Sequence, residues 1–236
     1  MNYIIAKNTF LKASFISLTG LFAVSVHAAE GDGGNTESWG SPIATYSNIN
    51  LGSGTEGIDL SANFGGYLGG VYQHRIELAA REDLEHYEAN YLLLNSASES
   101  GITIDSSWSE DVDFERVNGS GHVNYEDVNT TSIGLFSKLN FPDARFNAYP
   151  KMSVGYIWGD NIVETTFVDF EVALLFHFND TLWLGATPVY THSMEGREID
   201  EFSGTIDAGA KLSETFGLSA SLNEDKEFLG KVIFAF

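Results

Sequence analysis

From Gly57 to the end of the chain, apolar and polar residues alternate in short runs separated by turn residues. Val168, Phe170, Val172, Leu174, Phe176 and Phe178 alternate with Asp169, Glu171 and His177, the strongest strand pattern of the chain. Similar runs predict strands at roughly 57–66, 70–81, either 86–95 or 101–109, 130–141, 146–158, 164–178, 181–192, 202–212, 215–222 and 227–236. A weaker alternation at 43–51 allows one short strand more. In 86–95, Tyr87, Tyr91 and Leu94 also stand at helical spacing, so a short helix competes with a strand there.

The connections fall into two kinds. Those near 142–145, 179–181 and 213–215 are tight, whereas 159–163 and 193–201 are longer, and an acidic loop is expected over about 96–130. Aromatic residues gather at strand ends. Tyr72, Tyr156, Trp158 and Tyr190 are expected at one end, and Phe141, Phe146, Phe178, Phe216 and Phe236 at the other. Two such girdles are what a barrel in a bilayer requires.

Ahead of the strands, residues 1–28 read as a secretory signal peptide. Lys7 and Lys12 precede an apolar stretch, and Val26-His27-Ala28 offers small residues for cleavage. Residues 29–56 read as a flexible N-terminal segment, rich in glycine and acid at its start. The barrel itself is assigned to 57–236.

Composition narrows the function. Cysteine is absent, which removes disulfides, thiol catalysis and cysteine–zinc sites. A formal charge of −21 argues against nucleic-acid binding. No cofactor or metal motif is present, and Asp111–Glu115 lacks the glycine and spacing of a calcium loop.

On the face opposite the apolar residues lie Arg75, Glu77, Lys138, Lys151, Asp169, Glu171, Asp207, Lys211 and Lys231. In a barrel these charges line or fill the lumen, as a narrow cation-preferring pore or as a paired network that plugs it. His192, with His74 and His122 expected on the same side, is the candidate for a hydrolase site at the rim. The acidic loop is a candidate for surface recognition or divalent-cation binding.

The last strand, Leu229-Gly230-Lys231-Val232-Ile233-Phe234-Ala235-Phe236, puts Val232, Phe234 and Phe236 on one face. It resembles the C-terminal assembly signal of the small, porin-like outer-membrane β-barrels of Gram-negative bacteria, with Gly230 displaced by one position. The resemblance implies an all-β, antiparallel, up-and-down transmembrane barrel in the outer membrane. It also implies lipid and lipopolysaccharide as surroundings and recognition by the barrel-assembly machinery. Both termini then lie in the periplasm, so the strand number is even: about ten, with eight or twelve as alternatives. The functions expected are a narrow passive pore or a lumen-filled envelope component. The alternatives are a rim-site protease or lipid A deacylase, and a surface-recognition protein.

Overall fold

The computed structural model describes residues 39–117, 120–143, 145–160 and 162–236, with side chains at 110–126 left aside. The expected signal peptide lies outside the described residues. Thirteen strands follow one another: β1 (Asn48–Gly54), β2 (Gly57–Gly69), β3 (Tyr72–Arg81), β4 (His86–Asn95), β5 (Ser100–Val117), β6 (Ser120–Ser137), β7 (Leu139–Asn140), β8 (Phe146–Trp158), β9 (Thr165–His177), β10 (Leu182–Glu195), β11 (Asp200–Lys211), β12 (Phe216–Asn223) and β13 (Phe228–Ala235).

Each strand pairs antiparallel with its neighbours, and the sheet closes where β1 meets β13, from Asn48↔Ala235 to Gly54↔Leu229. β7 prolongs the wall of β6 along β8. The result is a closed twelve-stranded antiparallel barrel with one two-residue extra strand.

The count is twelve, the expected alternative, rather than the favoured ten. Residues 86–95 and 100–117 are both strands, and the short strand expected at 43–51 runs from Asn48 to Gly54. The helical spacing in 86–95 is incidental. Leu92 and Leu94 point into the lumen, where they are buried, so both faces of β4 are apolar there and the alternation is masked.

The acidic loop is also corrected. Only residues 96–99 connect β4 to β5, and β5 and β6 pair along their full length to Val117↔Ser120. Beyond Trp108 and Asn129 these two strands pair only with each other, so a ribbon stands free of the wall. The side chains of Glu110, Asp111, Asp113, Glu115, His122 and Glu126 lie outside the described residues.

The outer face carries exposed Ile133, Leu135, Val154, Phe170, Leu184, Ile206 and Leu218. The inner face carries Asn63, Gln73, Thr103, Ser132, Ser153 and other buried polar residues. This distribution suits hydrocarbon outside and polar groups within.

Two prolines interrupt the wall. Pro150 stands opposite Val172, and the ladder from β6 to β8 breaks after Phe136↔Lys151. On the other side of β9, the pairing with β10 skips Pro188 between Ala186↔Leu174 and Val189↔Glu171. Each proline lacks the N–H that the missing pair requires.

Candidate functional site

Turns at 70–71, 96–99, 141–145, 178–181 and 212–215 share one rim with Phe236, here the C-terminal rim. The other connections share the opposite rim. Phe141, Phe146, Phe178, Phe216 and Phe236 surround the C-terminal rim, with Phe141–Phe146 ring centroids 4.8 Å apart and Phe216–Phe234 5.4 Å. Tyr156, Trp158 and Tyr190 stand at the opposite rim.

Tyr72 does not join them. It begins β3 at the C-terminal rim, across from Asn95. The sequence reading counted one strand where β4 and β5 are two, which inverts the direction of every strand before them.

The same inversion separates the histidines. His74 lies near the C-terminal rim, 6.2 Å from the Tyr91 ring, whereas His192 stacks on Tyr190 at the opposite rim with 6.4 Å between centroids. His122 falls within the side chains left aside. Ser193, the hydroxyl beside His192, accepts the Ile199 amide at 2.9 Å. His192 shares the outward face with Tyr190, so the expected rim site is not assembled among the described residues. Nor does any group of three acids and histidines converge there as a metal site.

The lumen holds the chemistry. At mid-height, Lys151 Nζ lies 3.2 Å from Asp105 and 3.3 Å from Glu171. Asp169, next along the inner face of β9, hydrogen-bonds Thr191. Asp207 accepts from the Trp183 indole. Nearer the opposite rim, Arg81 joins Asp59 at 3.3 Å and Glu88 at 2.7 Å, and His86 stands 3.4 Å from Glu88. Lys231 lies in the field of Arg81, Glu77, Asp59 and Glu88. Lys138 and Lys211 sit low, at the C-terminal rim, paired with Glu99 at 3.2 Å and Glu214 at 2.7 Å.

Within the barrel the carboxylates of Asp59, Glu77, Glu88, Asp105, Asp169, Glu171 and Asp207 outnumber the cations of Arg75, Arg81, Lys151 and Lys231. The inner wall therefore carries an excess of formal negative charge. Asp59, Arg81, Glu88 and Asp105 escaped the sequence reading. The alternation that identified their neighbours places Asp59 and Arg81 on the inner face too, and Asp105 follows once β5 is recognised as a strand.

Residues 39–47, assigned to the flexible segment by sequence, occupy the lumen just above the C-terminal rim. Ile43 is 3% exposed, in a cluster with Leu92, Leu94, Phe136, Tyr149, Leu175 and Trp183, and Trp39 packs against the same cluster. Burying one isoleucine is worth about 1.5–3 kcal/mol. On the other side the segment is tied by polar bonds. Arg75 donates to the Ala44 carbonyl at 2.8 Å, and Arg75 also stands 3.9 Å from Glu77. Thr45 donates to Gln73 at 2.6 Å, and Ser41 to Tyr149 at 3.2 Å.

Gly65 makes the approach possible. A Cβ there would lie 1.7 Å from the Thr45 carbonyl oxygen. Above the segment is a chamber of about 190 Å³ bordered by Ile43, Arg75, Asp105, Tyr149, Lys151 and Glu171. Below it is a recess of about 980 Å³ bordered by Trp39, Tyr46, Lys138, Phe141, Lys211 and Phe236.

No protein-family model matches the chain, and no curated protein matches it in sequence. Solved structures do match in shape. An outer-membrane channel from Pseudomonas putida F1 superposes with a TM-score of 0.54 at 9% identity, over 88% of this chain and 100% of that one. The fold is that of a bacterial outer-membrane β-barrel. The NanC porin gives 0.49 at 5% identity, over 80% and 98% of the two chains. The translocator domain of the autotransporter NalP from Neisseria meningitidis gives 0.46 at 12%, over 81% and 86%. On this fold the chain carries an apolar exterior, a charged lumen and, inside it, residues 39–47.

Proposed function

We propose that this protein is a passive, cation-preferring channel of the outer membrane, narrow and without catalysis. The observation that carries the reading is the charged inner wall. It runs from Arg81, Asp59 and Glu88 near the opposite rim down to Lys151, Asp105 and Glu171, and ends on the segment around Ile43. A purely structural barrel has no need of an excess of carboxylates facing a chamber.

The C-terminal rim lies in the periplasm, in keeping with its short turns at 70–71 and 212–215. Val232, Phe234 and Phe236 then serve the barrel-assembly machinery, and lipid and lipopolysaccharide cover the exterior. The test is ion flux through refolded protein in planar bilayers under a potassium chloride gradient. Folding is verified by a change of apparent size on unboiled gels. The expected result is a small conductance whose reversal potential reports cations. If the folded protein conducts no ions even after the luminal segment has been expelled, the reading fails.

A further inference from the structure

We infer that residues 39–47 are a gate, a segment that leaves the lumen as a unit through the C-terminal rim and opens the channel. The inference rests on the channel reading above.

The segment enters and leaves by the same end. Trp39 sits beneath Gly217 and Lys211 at the C-terminal rim. Eight residues later the Ser47 carbonyl accepts the amide of Phe236 at that rim. The segment is thus a loop dipped into the barrel, and it withdraws without unthreading and without opening the β1–β13 seam.

It is also closed on itself. Trp39 and Tyr46 stack with centroids 5.7 Å apart. The Tyr46 hydroxyl donates to the Trp39 carbonyl at 3.0 Å, and the Ala44 amide to Ser41 at 3.2 Å. These internal contacts survive movement of the whole.

Its bonds to the wall come from the side chains of Arg75, Gln73 and Tyr149 and, at its end, from the Gly65 amide to Ser47 Oγ at 3.2 Å and the Phe236 amide to the Ser47 carbonyl, with no strand ladder along residues 39–47. The wall behind Thr45 and Ser47 presents Asn48, Asn63 and Gln73, which water satisfies once the segment has gone. The chamber above and the recess below then become one passage.

The absence of cysteine makes a clean experiment possible, because Ile43→Cys supplies the sole thiol. Its reaction with a membrane-impermeant maleimide is measured beside single-channel recording in bilayers. Gly65→Ala collides with Thr45 and expels the segment. Ile43→Asp does the same by placing a charge among Leu92, Phe136 and Tyr149, and leaves the wall untouched. Gly66→Ala is the control, since its Cβ meets only His74 Nε2 at 4.0 Å.

The expected wild type is mostly closed with brief openings, and Ile43→Cys labels slowly. Gly65→Ala and Ile43→Asp raise the open fraction at least tenfold, Gly65→Ala speeds labelling of Ile43→Cys as much, and Gly66→Ala changes neither. A steady conductance equal in wild type, Gly65→Ala and Ile43→Asp overturns the gate and keeps the channel. Faster labelling without conductance keeps the movement but ends the channel reading, and the gate with it. Folded variants that neither label faster nor conduct more than wild type overturn the gate.

Discussion

The amide of Phe236 donates to the carbonyl of Ser47 at 3.1 Å, so the last residue of the chain is held by the last residue of the luminal segment. The bond adds one contact to the β1–β13 seam, beyond its last ladder pair, Asn48↔Ala235.

Deleting Phe236 removes this bond and the terminal ring of the outward face of β13. The expected outcome is a several-fold fall in the heat-modifiable form recovered from the outer membrane, with Phe236→Leu intermediate. Equal recovery of the deletion and the wild type, by gel shift of membrane fractions, excludes the role.

Lys151→Met leaves Asp105 and Glu171 facing each other across the lumen without their shared cation. Removing one member of a buried ion pair costs about 3–5 kcal/mol. These side chains are about a quarter exposed to lumen water, so a loss of about 1–3 kcal/mol is expected. Adding Glu171→Gln restores part of it, because the two changes share one interaction. Guanidinium unfolding midpoints in detergent measure both.

Selectivity follows the same carboxylates. In protein opened by Gly65→Ala, replacing Asp169 with Asn and Glu171 with Gln moves the reversal potential in a salt gradient toward zero. Neutralising Lys151 instead moves it toward stronger cation preference. Unchanged potentials in both variants place the filter elsewhere.

The turn at 141–145 is sensitive to acid. Arg145 donates to both oxygens of Asp143, at 3.0 and 2.7 Å, and holds its carboxyl down at about 2 from the usual 3.8. Because the folded value is depressed, the stability this turn contributes is fully present above 3.8. It is lost as the pH falls through about 2. A carboxyl titration by NMR finds the Asp143 midpoint near 2, and Arg145→Ala returns it to the ordinary range.

The barrel was legible in the sequence wherever one face met lipid and the other met polar groups. Val168–Phe178 is such a case, with Asp169 and Glu171 on the face opposite its apolar residues. Legibility failed where the lumen itself is apolar. Leu92 and Leu94 face Ile43, so β4 loses its polar side in its second half, and the acidic stretch after it reads as a loop where β5 is a strand. The luminal segment gave no sign, because Trp39-Gly40-Ser41-Pro42 has the composition of a connection and its burial depends on a wall formed by distant strands. The hairpin of β5 and β6 does carry a sequence signal. Asn118-Gly119, outside the described residues, is the pair that two-residue hairpins favour.

That hairpin leaves the wall after Trp108 and Asn129, and nine further residues on each side pair only with one another. At about 3.3 Å per residue it reaches roughly 30 Å past the other strands. In the proposed orientation, with the C-terminal rim in the periplasm, this ribbon projects outward from the cell surface. An epitope inserted at 118–119 is displayed there without touching the strands that enclose the lumen.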